Sequence, residues 1–316
     1  MIKNLEVLAH ADWSSRHSGR WLVKAERAAG RWRIREPSLF DSRNFLRNDI
    51  GEKGILGVDV PIGVPAYWAD QAKIYYFPQA LLDFGSLQWS DTLRPAEKKD
   101  EISIFRPFYP AKPGGAKQAH LLAGLGVNHM DILRRRCDFD QEGRAAATPL
   151  FWTLGAAQVG KAAINFWLDV LKPAIQDSSV LLWPFEGNLV DLIGRGKPIV
   201  AETYPAEAYR WFNLEISKIN RSKRRIDDRR LDASRLIEVA SNFGIDLEPA
   251  AEEEVVMGFP AGGDDAFDAF VGLLAVASVV IGQRPEAAIC DDKVRQVEGW
   301  ILGRRPAPIT LRPKSL

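Results

Sequence analysis

The chain opens with short runs in which apolar and polar residues alternate. Leu5 to Asp12, Arg20 to Glu26 and Arg31 to Arg35 place Trp21, Val23 and Ala25, then Trp32 and Ile34, at every second position, which is the period of a half-buried strand. The turn-rich segments SSRHSG and AAG separate these runs, so three antiparallel strands in a meander are predicted. Asp41 to Asp49 reads as a helix with Asp41 as its N-cap. It leads into Gly54 to Pro61, whose continuous apolar character is that of a central strand stopped by proline. Residues 62–178 are mixed and rich in Pro, Gly and Trp, and include the loop Phe105 to Gly115. They are expected to form a largely helical insertion within one domain of residues 1–316, because strands resume only at Val180 to Trp183 and Pro198 to Glu202. Helices are predicted over Glu207 to Phe212, Asp232 to Asn242 and Ala266 to Ile281.

Composition narrows the class without choosing a function. The chain of 316 residues is 46% hydrophobic and 26% charged, as ordinary globular proteins are. A net charge of +1 gives no global field toward nucleic acid or membrane, so such a partner would need a local patch. Cys137 and Cys290 have no CxxC or Cys/His spacing, which suggests neither a disulfide framework nor zinc and fits a reducing, cytoplasmic setting. The first residues lack a signal-peptide core and carry Glu6, His10 and Asp12 where one would lie. The longest apolar run, Phe270 to Ile281, is shorter than the roughly 20 residues that span a bilayer, so no membrane partner is expected.

Acidic residues fall at chosen places on this pattern. Asp12, Asp59 and Glu202 each end a predicted strand, and strand ends of one sheet can converge. Asp265 and Asp268, three residues apart, share a face of the apolar helix that follows. Asp264 is read as a helix cap or dipole partner. Asp268 lies a turn inside an apolar helix, where an unpaired carboxylate carries a desolvation penalty and needs a partner or a metal. Carboxylates gathered at one sheet edge repel one another unless a cation stands among them, and hard oxygen ligands suit Mg²⁺ or Mn²⁺. Two such ions are a standard device for phosphodiester hydrolysis. Asp59 and Glu202 compete for the middle ligand place. Singly, Asp59 also reads as a turn cap and Glu202 as the partner of a nearby Arg or Lys.

The segments ADWSS, GVDVPIGVP, WPFEG, AETYPAE, GDDAFDAFVGLLA and EGWIL, in this order, resemble domain-of-unknown-function family 429, described as predicted nucleases of RNase H fold. The resemblance runs nearly end to end. It implies an α/β fold with an RNase H-like mixed sheet flanked by helices, an order of elements that matches the one predicted above. Asp265 to Ala269 is similar to the paired aspartates opening the last helix of RuvC-type Holliday-junction resolvases. In that comparison Asp12 takes the first-strand metal place, and Glu202 or Asp59 supplies the middle carboxylate. The activity implied is a Mg²⁺- or Mn²⁺-dependent nuclease acting on DNA or RNA.

Other features supply partners and rivals. Lys218, Arg221, Lys223, Arg224, Arg225, Arg229 and Arg230 outnumber Asp227 and Asp228 in the most basic stretch of the chain. Arg221, Lys223, Arg224 and Arg225 are candidates to hold a phosphate backbone in a salt-sensitive way, although charge runs are often only solvated surface. Trp211 and Phe212 could stack on bases or belong to the core. Gly155 to Ala162 nearly spells a phosphate loop, but Ala162 lacks the hydroxyl that would hold Mg²⁺. Lys161 with these glycines remains a candidate phosphate contact. His10, His17, His120 and His129 form no metal spacing, and His10 reads as structural. The rival functions are a nucleotide-binding phosphotransferase of the actin-like ATPase branch, suggested by Asp12 to Gly19, and an inactive nucleic-acid-binding module.

Overall fold

The computed structural model describes residues 4–40, 45–141, 144–154, 159–287 and 291–306. The alternating runs form β1 (Val7–Asp12), β2 (Trp21–Ala28) and β3 (Arg31–Ile34), paired antiparallel in sequence order. A short β4 (Ser38–Leu39) also pairs with β2. The continuous apolar runs become β5 (Gly54–Val58), β6 (Leu181–Leu182) and β7 (Ile199–Glu202). β5 adds to β1, β7 to β5 and β6 to β7, all parallel. The sheet is therefore mixed, in the order β6-β7-β5-β1-β2-β3-β8. Its last strand, β8 (Ile245–Leu247), runs parallel to β3 and was not foreseen: its three residues are too few to display a period. The expected N-cap Asp41 lies outside the described residues, and Leu46–Ile50 is a π-helical turn.

Strand parity separates two cores. Ala9, Ala11, Leu56, Val58 and Val200 face the segment 62–178, whereas Leu8, Val23, Ile55, Ile199 and Ala201 face the helices of the C-terminal half. Segment 62–178 covers its face with less regular helix than expected. Helices Ala66–Gln71, Phe77–Asp83, Gln118–Leu125 and Val159–Phe166 are joined by long stretches of loop and single 3-10 turns. Pro95, Pro107, Pro110 and Pro113 lack the N–H a helix would use. Aromatic area holds this layer instead: Trp68 and Phe151, Phe77 and Trp167, and Phe108 and Phe151 each meet edge to face with centroids 5.1 Å apart.

On the opposite face the helix Gly263–Val280 is buried from Ala266 onward, as expected of a helix apolar on all sides. None of the described helices is long and apolar enough to cross a membrane. The helices Pro205–Trp211 and Ala233–Asn242 pack into the same core. Two glycines set how closely the long helix approaches the sheet. A Cβ on Gly272 would lie 2.3 Å from the His10 ring, and one on Gly57 would lie 2.6 Å from Val276. The close seat brings the acidic first turns of the helix against the ends of β1 and β5.

Candidate metal centre

Asp12 is the last residue of β1 and Asp59 directly follows β5, with the Asp59 amide donating to the Ala11 carbonyl at 3.3 Å. Parity turns both side chains toward the long helix: Asp12 shares a strand face with His10, which meets Gly272, and Asp59 shares one with Gly57, which meets Val276. Asp268 comes down from that helix, in its second turn. One carboxylate oxygen from each of Asp12, Asp59 and Asp268 lies within 4.8 Å of the others. Asp265, one turn earlier on the helix, shares a side-chain hydrogen bond with Asp12, a pairing that requires one proton between two carboxyl groups.

Glu202 does not join them. It is in register with Val58, which packs on the opposite side of the sheet, so its side chain points away from the trio. There Arg135 grips it in a bidentate pair, with Nη1 and Nη2 donating to Oε2 and Oε1 at 2.6 and 2.7 Å. The Ile62 amide also donates to Glu202, at 2.8 Å. Arg135 holds Asp138 in the same way, through Nε at 3.1 Å and Nη2 at 2.9 Å. Of the two contenders for the middle position, the geometry gathers Asp59 and assigns Glu202 to an ion pair that ties segment 62–178 to the sheet.

The candidate cations of the basic stretch part company. Lys223 reaches the acidic trio and donates to Asp268, whose other oxygen accepts from the Tyr209 hydroxyl. Arg221 and Arg225 instead pair with Asp228, at 3.0 and 2.6 Å, which also accepts from the Ser222 amide. They brace the turn before the helix Ile226–Arg230 while staying exposed. Arg224 is exposed and has no ion pair among the described residues. Lys161 donates to the Ala111 carbonyl at 3.0 Å, and a Cβ on Gly160 would lie 2.3 Å from the Leu150 carbonyl. That glycine serves close packing, and Lys161 braces the 62–178 segment; the preceding Gly155 to Gln158 lie outside the described residues. Phe212 is core, against Phe243, and Arg284 covers a face of Trp211 at 3.8 Å.

Electrostatics marks the trio as uncompensated. Burial raises the Asp12 carboxyl well above its ordinary range, and the charges of Asp268 and Asp59 add to the shift. Asp59 is pushed up to about 7 by burial and then by Asp268, against the pull of Lys223. Burial also raises Asp268 and Asp265, with Lys223 opposing both. Burial would lower the Lys223 ammonium, but the Asp268 charge and hydrogen bond, then Asp12 and Asp59, hold it above its usual value. The Lys223 ammonium, with the Arg229 guanidinium within electrostatic reach of Asp268, thus faces four carboxyl groups, and among the described residues the Asp59 carboxyl accepts no hydrogen bond. Tyr209 escapes a sequence reading because it lies in a short helix, and Lys223, named there only as one of several candidate phosphate contacts, gives no sign in a run of seven cations that it meets Asp268. His10, fully buried with both ring nitrogens unpartnered among the described residues, is depressed to about 3 by burial and fills the helix–sheet contact as a neutral ring. Comparison with known proteins finds no matching family model, no matching curated protein and no matching solved structure.

Proposed function

We propose that Asp12, Asp59 and Asp268 form a divalent-cation site, and that the protein is a metal-dependent nuclease on an RNase H-like sheet. The observation that carries this reading is the convergence of three carboxylates from three separate elements to within 4.8 Å. The donor set is all hard oxygen and suits Mg²⁺ or Mn²⁺. The antiparallel meander β1 to β3, the parallel strands beyond β1 and an acidic helix across them agree with the RNase H-like order. The six segments resembling family 429 include the ones that carry Asp12, Asp59 and Asp268.

The chemistry such an ion supplies is Lewis-acid stabilisation of charge on a phosphoryl oxygen and a lowered pKa of water. The residues of the chain prepare for it. Tyr209 and Lys223 fix the orientation of Asp268, so that carboxylate is placed before any cation arrives. Asp59 holds a proton below about pH 7 and gives it up when a positive charge replaces it. Asp265, bonded to Asp12, limits the rotation of that carboxyl. Arg224 stands exposed beside Lys223, where a phosphate backbone would be drawn by charge.

The test is cleavage of a panel of single- and double-stranded DNA and RNA with Mn²⁺. Asp12→Asn and Asp268→Asn are each expected to lower the rate by at least about a hundredfold, as loss of a group that supplies several kcal/mol of charge stabilisation does. A protein that cleaves nothing in the panel, and whose two variants bind Mn²⁺ as the wild type does, would exclude the reading.

A further inference from the structure

Segment 62–178, on the other side of the sheet from the acidic trio, holds a cleft of about 510 Å³ between the turn after the helix Ala66–Gln71 and the 3-10 turn Leu87–Trp89. That volume lies within the roughly 300–1,000 Å³ in which small-molecule sites fall. Buried Ala72, Ile74 and Ala80 form its base, and Tyr75, Tyr76, Trp89 and Phe105 stand around it. Tyr75 is 73% exposed and Phe105 42%. Apolar surface gathered in one place and rimmed by polar groups marks an interaction site, whereas single exposed rings do not.

The polar lining is left open by the protein itself. Among the described residues, the side chains of Gln71, Gln79 and Gln88 make no hydrogen bond, and Lys73 and Asp83 make no ion pair. Each amide offers N–H donors beside a carbonyl acceptor. Lys73 and Asp83 bring opposite charges, so the lining has no net charge with which to draw an ion. The walls, by contrast, are fixed. Trp89 meets Phe105 edge to face at 5.1 Å, Phe84 at 5.7 Å and Trp68 at 6.3 Å. Lys73 and Leu87, one in each bounding turn, hold left-handed backbone at φ 57° and 46°, a conformation that non-glycine residues adopt at a cost and that clusters at ligand clamps.

We infer that this cleft binds the base of a nucleoside, a planar uncharged ring stacked on the aromatic side chains and hydrogen-bonded along its edge by the glutamines. The flat face of a base is what aromatic rings such as Tyr75 and Trp89 match. Its edge sets a donor beside an acceptor, the pattern that a glutamine amide meets with two bonds. A free phosphate would need the positive excess that the lining lacks. A proline-rich peptide also docks on aromatic rings, but proline has no N–H to give the three amide carbonyls. The inference does not rest on the nuclease reading, because none of these residues belongs to the acidic trio.

The experiment is calorimetric titration of the full chain, in chelator, with adenosine, guanosine, cytidine and uridine, and then with their 5′-monophosphates. Saturable binding of at least one nucleoside, one per chain, is expected. The double variant Tyr75→Ala with Gln88→Ala, at exposed positions, is expected to weaken it at least about fivefold, as loss of a stacking ring does, while melting as the wild type does. Asp12→Asn is expected to bind the nucleoside as the wild type does, so failure of the nuclease reading would leave this result standing. Absence of saturable binding by all four nucleosides, or equal binding by the double variant, would overturn the inference, even if a monosaccharide or a proline-rich peptide bound instead. The monophosphate is expected to bind within about tenfold of its nucleoside, because the lining has no net charge. A larger gain would assign the grip to the phosphate and overturn the base as the group recognised.

Discussion

Two groups of buried or half-buried acids sit at the ends of neighbouring parallel strands, on opposite faces of one sheet, and they are treated very differently. On the side of segment 62–178, Glu202 and Asp138 divide a single buried guanidinium, and every oxygen of both accepts a hydrogen bond from Arg135 or from a backbone amide. On the helix side, Asp12, Asp59, Asp265 and Asp268 share the Lys223 ammonium, which among the described residues donates to Asp268 alone, with the Arg229 guanidinium acting on Asp268 through space. The first arrangement is complete in itself. The second carries a repulsion that the fold leaves in place, and burial together with that repulsion pushes the Asp12 and Asp59 carboxyl groups above their ordinary range. The two sets of strand-end carboxylates differ in whether the fold supplies their donors, a difference that position along a strand does not reveal.

The comparison is most severely tested by removing the guanidinium. Arg135→Ala leaves two buried carboxylates unpaired, and the expected loss in urea unfolding is about 3–5 kcal/mol. A loss below about 1 kcal/mol would show that the pair is not the tie between layers described above. Next in size is Gly272→Ala, which drives a methyl group into the His10 ring. Overpacking of this kind costs about 1–3 kcal/mol, and the shifted helix should also weaken Mn²⁺ binding through Asp268. Unchanged stability and unchanged binding would refute the close seat as the device that assembles the trio.

A smaller effect is expected from Lys223→Met, because the ammonium is partly exposed. In chelator the variant should lose about 1 kcal/mol, and Mn²⁺ should stabilise it more than it stabilises the wild type. Smallest, and most specific, is a pH effect. Asp59 is raised from 3.8 to about 7, so the native state holds an extra proton across that interval. Its contribution is full below pH 3.8 and disappears as pH rises through about 7. His10 acts oppositely: lowered from 6.5 to about 3, it contributes above pH 6.5 and loses that contribution as pH falls. Comparing the wild type with Asp59→Asn in chelator removes the His10 background. The stability difference between them should decline from pH 3.8 to about 7, and a flat or rising difference would contradict the assigned shift.

Much of this was legible in the residues themselves. Alternation placed β1, β2 and β3 to within about two residues, as boundaries of such elements allow, and the apolar runs placed β5 and β7. The sequence also marked Asp12, Asp59 and Asp268. It could not separate Asp59 from Glu202, because Gly54 to Val58 and Ile199 to Ala201 are buried on both faces. A strand covered on both sides shows no alternation, and its parity is hidden. Parity is what sends Glu202 to Arg135, a partner 67 residues away in the chain. The contact of Lys223 with Asp268 was hidden for a related reason: within a charge run, nothing local distinguishes the cation that folding turns toward the trio.

The most direct test of the central claim is Mn²⁺ binding at about pH 8, above the raised value of Asp59, measured by calorimetry on the wild type, Asp59→Asn and Glu202→Gln. The account expects saturable binding by the wild type, a loss of at least about tenfold in Asp59→Asn, and wild-type affinity in whatever fraction of Glu202→Gln is folded. Wild-type affinity in Asp59→Asn, or loss of binding in folded Glu202→Gln, would contradict it.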